Sequence, residues 1–297
     1  MRTLSIAAAL LCTVACQRVQ AETRFPSATK ADFGAYWNQG KAEVTSYTLS
    51  QARYGELHEG HAVLVFVTEP FSADKQVKLD RAGPDAVPVL KLNFTRKFNT
   101  GVYPYSMMTS VFSPTSGERA IKVTSSSQEW CGHTFFQLNQ RPKGYAGRLF
   151  SYFESEGDQT FEVPVDLIED ELWTRIRIAP ERLPQGEVTV LPGAMHLRLR
   201  HLSARPAKAI ASVEDGADGT RVFRLKYTSI DRELAITFEA AAPYRIQGWT
   251  ERYVSGWGPS AETLTTTAKV KQRLMSDYWN RHGNADRGLR KQLGLPQ

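Results

Sequence analysis

The chain is poor in cysteine, with three in 297 residues, and two of these, Cys12 and Cys16, fall within an apolar leader. Once that leader is removed Cys131 has no partner, which excludes an internal disulfide framework. A lone thiol in an oxidising compartment is buried and inert, paired with another chain, or kept for its reactivity. Beyond the leader there is no apolar run long enough to cross a bilayer. Lys and Arg are scattered among acids rather than gathered in a run, so nucleic acid is not an expected partner. A glycine-rich phosphate loop, a dinucleotide fingerprint and a Gly-x-Ser-x-Gly elbow are all missing. So is any internal repeat of roughly 20 to 50 residues.

What is present begins with export. Arg2 supplies a positive start and Leu4 to Ala15 an apolar core too short for a transmembrane span, so residues 1–21 read as a signal segment. Val19-Gln20-Ala21 suits ordinary signal peptidase and would leave a chain starting at Glu22. Thr13-Val14-Ala15-Cys16 resembles the box at which bacterial lipoproteins are cut and acylated on cysteine, and here the cut would fall between Ala15 and Cys16. The expected location is therefore the periplasm, or the outer membrane through a lipid on Cys16 as the sole membrane contact. Losing Arg2 and Arg18 with the leader reduces the formal charge from +6 to +4, an ordinary value for an exported protein.

The mature chain, 41% hydrophobic and 23% charged over the full sequence, can bury a substantial core. Ser27 can cap a short helix with Phe33, Tyr36 and Trp37 on one face, ended by Gly40. Strand patterns follow at 43–49, 54–69, 89–98, 102–112, 119–138, 147–154 and 159–163. Ala62 to Val67, apolar throughout, is the expected central strand, covered on both faces. Asp166 to Arg177 breaks the alternation, with Ile168, Leu172 and Ile176 four apart, and predicts a short mid-chain helix. Pro180, Pro184 and Pro192 mark residues 179–193 as a connection between a first β-rich half, 22–178, and a second, 194–297. In the second half strands are expected at 194–202, 207–213, 220–228, 233–239 and 244–253. A polar Thr-rich linker and a terminal helix over 268–279, with Val270, Leu274 and Tyr278 in a stripe, complete it. The fold class is mainly β, an antiparallel sandwich or open barrel with N-terminal, mid-chain and C-terminal helices.

Chemistry concentrates in Ser125 to Asn139, SSSQEWCGHTFFQLN. Read as one strand, it puts Glu129, Cys131 and His133 on one face and Trp130, Thr134, Phe136 and Leu138 on the other. An imidazolium beside Cys131 would favour the thiolate that nucleophilic chemistry needs, so these three are the candidate catalytic residues. The other stretch is Tyr54-Gly55-Glu56-Leu57-His58-Glu59-Gly60-His61. Glu56 and His58 share a face there while Glu59 and His61 lie opposite, unless Gly60 bulges and lets His58 and His61 ligate a divalent metal. Tyr54, Glu56 and Trp130 are the candidate binding residues, and the two stretches are expected to be strand neighbours. Tyr103, Tyr105, Phe135, Phe136, Tyr152, Phe153, Trp249 and Trp257 are core, or line a pocket for an apolar ligand.

The segments GKAEVTSYTLSQARYGELHEGHAVLVFVTE, TGVYPYSMMTSVF, SSQEWCGHTFFQLN and LIEDELWTRIR resemble an uncharacterised family of exported bacterial proteins often called septum formation inhibitor Maf. The resemblance implies no activity, cofactor or catalytic residue, and the chain has no Ser-Pro-Arg motif of the Maf nucleotide pyrophosphatases. The expected function is that of an envelope binding or structural component, partnered by an apolar ligand or another envelope protein. The alternative is a hydrolase or transferase using Cys131 and His133 or a divalent metal.

Overall fold

The computed structural model describes residues 30–296. The expected signal segment, Cys16 and the Ser27 cap lie outside them. The elements in the first part of the chain are α1 (Lys30–Trp37), β1 (Ala42–Arg53), β2 (Glu56–Ser72), β3 (Val77–Lys78), β4 (Ala86–Thr100), β5 (Tyr103–Pro114), β6 (Lys122–Glu129), β7 (Gly132–Arg141), β8 (Gly144–Ser151), β9 (Gln159–Val163) and α2 (Leu172–Ile178). There follow β10 (Gly186–Val190), α3 (Ala194–Arg200), β11 (Ala207–Asp215), β12 (Thr220–Tyr227), β13 (Arg232–Glu239), β14 (Ile246–Ser255), β15 (Glu262–Ser276) and α4 (Gly288–Gln292).

All the strands belong to one antiparallel sheet in the order β10-β11-β12-β13-β14-β15-β1-β2-β4-β5-β6-β7-β8-β9, with β3 alongside β2. The two halves of the sequence are thus joined edge to edge where β15 pairs with β1. The sheet curls strongly. Phe94 on β4 and Trp249 on β14 are four strand spacings apart in that order, which in a flat sheet would separate them by about 19 Å. Their ring centroids lie 5.0 Å apart. The free edges are β9 and β10, each short, and the sheet stays open between them. The chain linking them passes through a 3-10 turn at Glu169–Glu171 and α2, and a parallel bridge between Ile168 and Leu191 ties its two ends together.

The concave face is filled rather than hollow. Trp173 of α2 stands 5.0 Å from Phe94 and 5.1 Å from Trp249, and Leu172, Ile176, Leu197 and Leu199 of α2 and α3 join the same core as Leu64, Phe66, Phe136 and Phe223. Helix α2 and the 3-10 turn before it are fixed to the sheet by buried ions. Arg177 donates to both carboxylate oxygens of Glu43, at 2.7 and 2.8 Å, with its guanidinium over the rings of Trp37 and Phe66 at 4.8 and 4.7 Å. Glu169 accepts from Arg232 and, at 2.6 Å, from Tyr227, while Glu251 is shared by Arg96 and Arg232. On the convex face the tail after α4 lays Leu293 and Leu295 over Val44, Val63, Val65 and Val67. Residues 62–67 are accordingly covered on both sides, as expected of a central strand.

Four local expectations are corrected. Residues 268–276, expected to be helical, are part of β15, held between β14 and β1. A spacing of four, Val270 to Leu274, is a subset of strict alternation, and the Thr-rich run Thr263 to Thr267 before it, β-branched except at Leu264, favours a strand. The terminal helix is instead α4, and the Thr-rich linker is the start of β15. Residues 194–200, expected as strand, form α3. Its Met195, Leu197 and Leu199 alternate with His196 and Arg198, but all five are buried, so no solvent-facing side imposes a 3.6-residue period. The expected connection 179–193 contains β10. Finally, 119–138 is not one strand but the hairpin β6–β7, turning at Trp130-Cys131.

Candidate functional site

Strand direction places one set of loops together: the turns β1–β2, β4–β5, β6–β7, β8–β9 and β14–β15, along with the C-terminal end of α3. These loops carry the most exposed apolar side chains, Val102 at 79%, Trp130 at 70% and Tyr152 at 68%, together with half-exposed Leu57, Leu202 and Trp257. Ring, hydroxyl and backbone contacts link these side chains around this end. Trp130 stands 6.4 Å from Tyr103, and the Tyr103 hydroxyl lies 3.0 Å from that of Tyr54. Tyr54 lies 5.9 Å from Trp257, Trp257 the same distance from His201, and His201 4.6 Å from Phe153. Phe153 contacts Tyr152 at 5.6 Å, and Tyr152 lies flat on the backbone of Gly132, where a Cβ would run into its ring. Gly132 follows the Trp130-Cys131 turn, so the chain itself leads from Tyr152 back to Trp130 and completes the circuit.

Two members of this circuit occupy left-handed backbone that side chains avoid. Tyr54 has φ 56° in a two-residue turn with Gly55, and His201 has φ 52° at the end of α3, where glycine is the usual residue. Each costs on the order of 1 kcal/mol relative to glycine there.

Inside the circuit is a narrow recess lined by Arg53, Tyr105, Ser127, Glu129, Gly132, Thr134, Phe153, Arg198, Leu199 and His201. Arg53 is buried, its guanidinium 4.1 Å from the Tyr54 ring centroid and 5.1 Å from that of Trp257. It donates to the hydroxyls of Tyr54 and Tyr105, at 3.1 and 3.0 Å, and to the carbonyl of Leu199. Burial pushes the Tyr105 phenol well above its usual range, against the pull of Arg53, so it stays a neutral hydrogen-bonding group. Arg198 pairs with Glu156 at 2.8 Å, and His201 lies 3.0 Å from the same carboxylate. Burial lowers the His201 value, Glu156 opposes this, and Arg53 and Arg198 add to the lowering.

The residues singled out in the sequence are distributed unevenly around this site. Glu129, Trp130 and Tyr54 belong to it. In the hairpin Glu129 pairs with Gly132 and Gln128 with His133, so Glu129 faces the recess and His133 the convex side. The expected shared face of Glu129, Cys131 and His133 is thereby corrected. A hairpin turn reverses the parity that a single strand would keep. Cys131 sits exposed in the turn, its N–H donating to Glu129 at 2.6 Å. A hydrogen bond to Glu129 raises its thiol above the ordinary value, aided by slight desolvation and the carboxylate charge, which disfavours the thiolate a nucleophile requires. Glu129→Gln should therefore make Cys131 react faster with iodoacetamide at pH 8, and an unchanged rate would show that the carboxylate does not control the thiol.

Glu56 and His58 begin β2, with β4 and β5 intervening in pairing order before β6 and β7, so the two stretches are not strand neighbours. His58 lies 3.0 Å from the carbonyl of Arg53 and stacks on Phe98. The β1–β2 ladder passes through Gly60 without a shift, which leaves His58 and His61 on opposite faces. Among the described residues no group of three His, Cys, Asp or Glu is placed to hold a metal, and no helix is long and apolar enough to cross a membrane. Sequence reasoning missed Arg53, Thr134, Arg198, Arg200 and His201 as site residues. The last three read as a strand, and nothing local marks a buried arginine that is neutralised from across the fold. Comparison with known proteins gives no match to a family model, a curated protein or a solved structure.

Proposed function

We propose that the protein is an exported envelope component that binds through the aromatic-ringed end of its curled sheet. The alternative of an apolar ligand held in the interior has less support, because α2, α3 and Trp173 fill the concave face. The observation that carries the reading is the closed circuit from Trp130 through Tyr54, Trp257 and His201 to Tyr152, exposed at its top and floored by polar groups. Isolated surface aromatics are ordinary, but a contiguous set around a recess is the composition of a contact surface. An enzyme reading through Cys131 and His133 is weakened by the raised thiol and by the opposite placement of Glu129 and His133.

Trp130→Ala and Trp257→Ala test the proposal, since Trp130 is largely exposed and Trp257 nearly half so. Each should shift the urea midpoint little, corresponding to less than about 1 kcal/mol. Each should also weaken binding of material from a cell-envelope extract at least tenfold, read by intrinsic fluorescence or calorimetry. Unchanged binding by both variants would contradict the proposal.

A further inference from the structure

Charge is not balanced inside the aromatic circuit. Arg53 and Arg200 flank the Trp257 ring, each with its guanidinium 5.1 Å from the centroid. Among the described residues neither forms an ion pair with a carboxylate: Arg53 has only phenols and a backbone carbonyl as partners, and Arg200 donates to the carbonyl of Gly256 at 2.7 Å. Arg198 is neutralised by Glu156, and His201 is uncharged at neutral pH because its value is lowered. Glu129 is the remaining acid, its Oε2 occupied by the Cys131 N–H. Arg53, Arg198 and Glu129 line the recess, Arg200 and Glu156 stand behind it against Trp257 and Arg198, and together the five leave one positive charge. Burial lowers the Arg200 value, Tyr253 opposes this, and the nearby charge of Arg53 adds to the lowering.

Two further groups lining the recess are unsatisfied. Among the described residues Thr134 Oγ1 and Arg198 Nε have no hydrogen-bond partner, although both are shut away from bulk solvent and both side chains are more than nine-tenths buried. Leaving such groups unmet costs roughly 1 to 3 kcal/mol apiece, and an uncompensated buried cation costs more. The space is small, about 20 Å³ in the measure by which a single water needs roughly 10 to 15 Å³. It suits a group of one or two heavy polar atoms, not a tetrahedral phosphate.

We propose that the recess takes the carboxylate of an amphipathic monocarboxylic acid, whose apolar or planar body lies against the aromatic circuit. This rests on the circuit being the binding surface. A single negative charge matches the surplus, two oxygens match the size, and Thr134, Arg198 and Arg53 supply donors beside aromatic faces that accept a hydrocarbon.

The test is calorimetric titration of the full chain at pH 7 with octanoate and with benzoate, using octanol, octylamine and inorganic phosphate as controls. The two acids distinguish a flexible from a planar body. At least one acid should bind, and octanol at least tenfold more weakly. Thr134→Val and Arg200→Gln should each weaken the acid at least fivefold, while Glu129→Gln should strengthen it severalfold by removing the opposing charge. Thr134→Val keeps the side-chain volume, so it remains informative where Arg53→Met fails to fold. Octanol or phosphate binding as tightly as the acids, no binding by either acid, or an unchanged affinity in both Thr134→Val and Arg200→Gln would overturn the carboxylate assignment. If envelope material still binds in a Trp130-dependent manner while the acids do not, only the assignment falls. If Trp130→Ala and Trp257→Ala also leave that binding unchanged, the surface itself is wrong.

Discussion

Arg177→Met is expected to lower the unfolding free energy by about 3 to 5 kcal/mol, because it strands Glu43 in the core. Glu43 is buried and its carboxylate accepts both forks of Arg177 and the Tyr36 hydroxyl. Burial alone would raise its value, but Arg177, Tyr36 and Arg273 hold it at about 2 against an ordinary 4.5. A folded value below the unfolded one means that this stabilisation is complete above about pH 4.5 and is lost as the pH falls toward 2, a difference of about 3 kcal/mol. The variant should thus lose stability at pH 7 and show a shallower acid limb in urea unfolding. Adding Glu43→Leu should recover at least half of the loss, since exchanging a whole buried pair for apolar side chains is far less costly than breaking it. A single variant within about 1 kcal/mol of the parent would show that the pair does not fix α2 to the sheet.

Asp170→Asn should act in the opposite direction. Burial pushes the Asp170 carboxyl up to about 7, with Glu169 adding to the rise, while the Ala194 N–H at 2.9 Å, Arg232 and Arg96 pull it down. A folded value above the unfolded 3.8 means that the native state holds this proton more tightly. Stability from this group is therefore highest below about pH 3.8 and declines as the pH rises through 7, by about 4 kcal/mol when complete. Asparagine keeps an oxygen to accept the Ala194 N–H and never ionises. The variant should match the parent near pH 4 and exceed it by about 3 to 4 kcal/mol at pH 8, measured by urea unfolding at both values. An equal gain at both pH values would assign the effect to packing, and a loss at pH 8 would show that the ionised form is needed.

The fold was legible where one face of an element meets solvent or a regular ladder. Alternation marked β1, β4 and β11 to β14, and the continuous apolar run marked β2, because period-2 burial leaves its trace in hydrophobicity. It failed for α3, whose surroundings are protein on every side, and for β15, where a spacing of four satisfied both periods. Of the candidate site, Tyr54, Glu129 and Trp130 were marked by their chemistry. The Trp130-Cys131 turn was not, since neither central residue is a turn former and Gly132 beside them also fits a strand position, and missing it inverted the facing of His133. The circuit itself joins loops from the first half of the chain to Trp257 and His201 in the second. Only the curl of the sheet brings these together, and no local pattern encodes it.

The most direct measurement of the central claim is the indole N–H spectrum of the six tryptophans, recorded on nitrogen-labelled protein titrated with envelope extract. Trp173 and Trp249 lie in the filled interior, and Trp130 and Trp257 on the aromatic circuit. The account predicts that ligand shifts or broadens the signals of Trp130 and Trp257 and leaves those of Trp173 and Trp249 in place. Movement of Trp173 and Trp249 with Trp130 and Trp257 unchanged would put the ligand inside the curl of the sheet and contradict it.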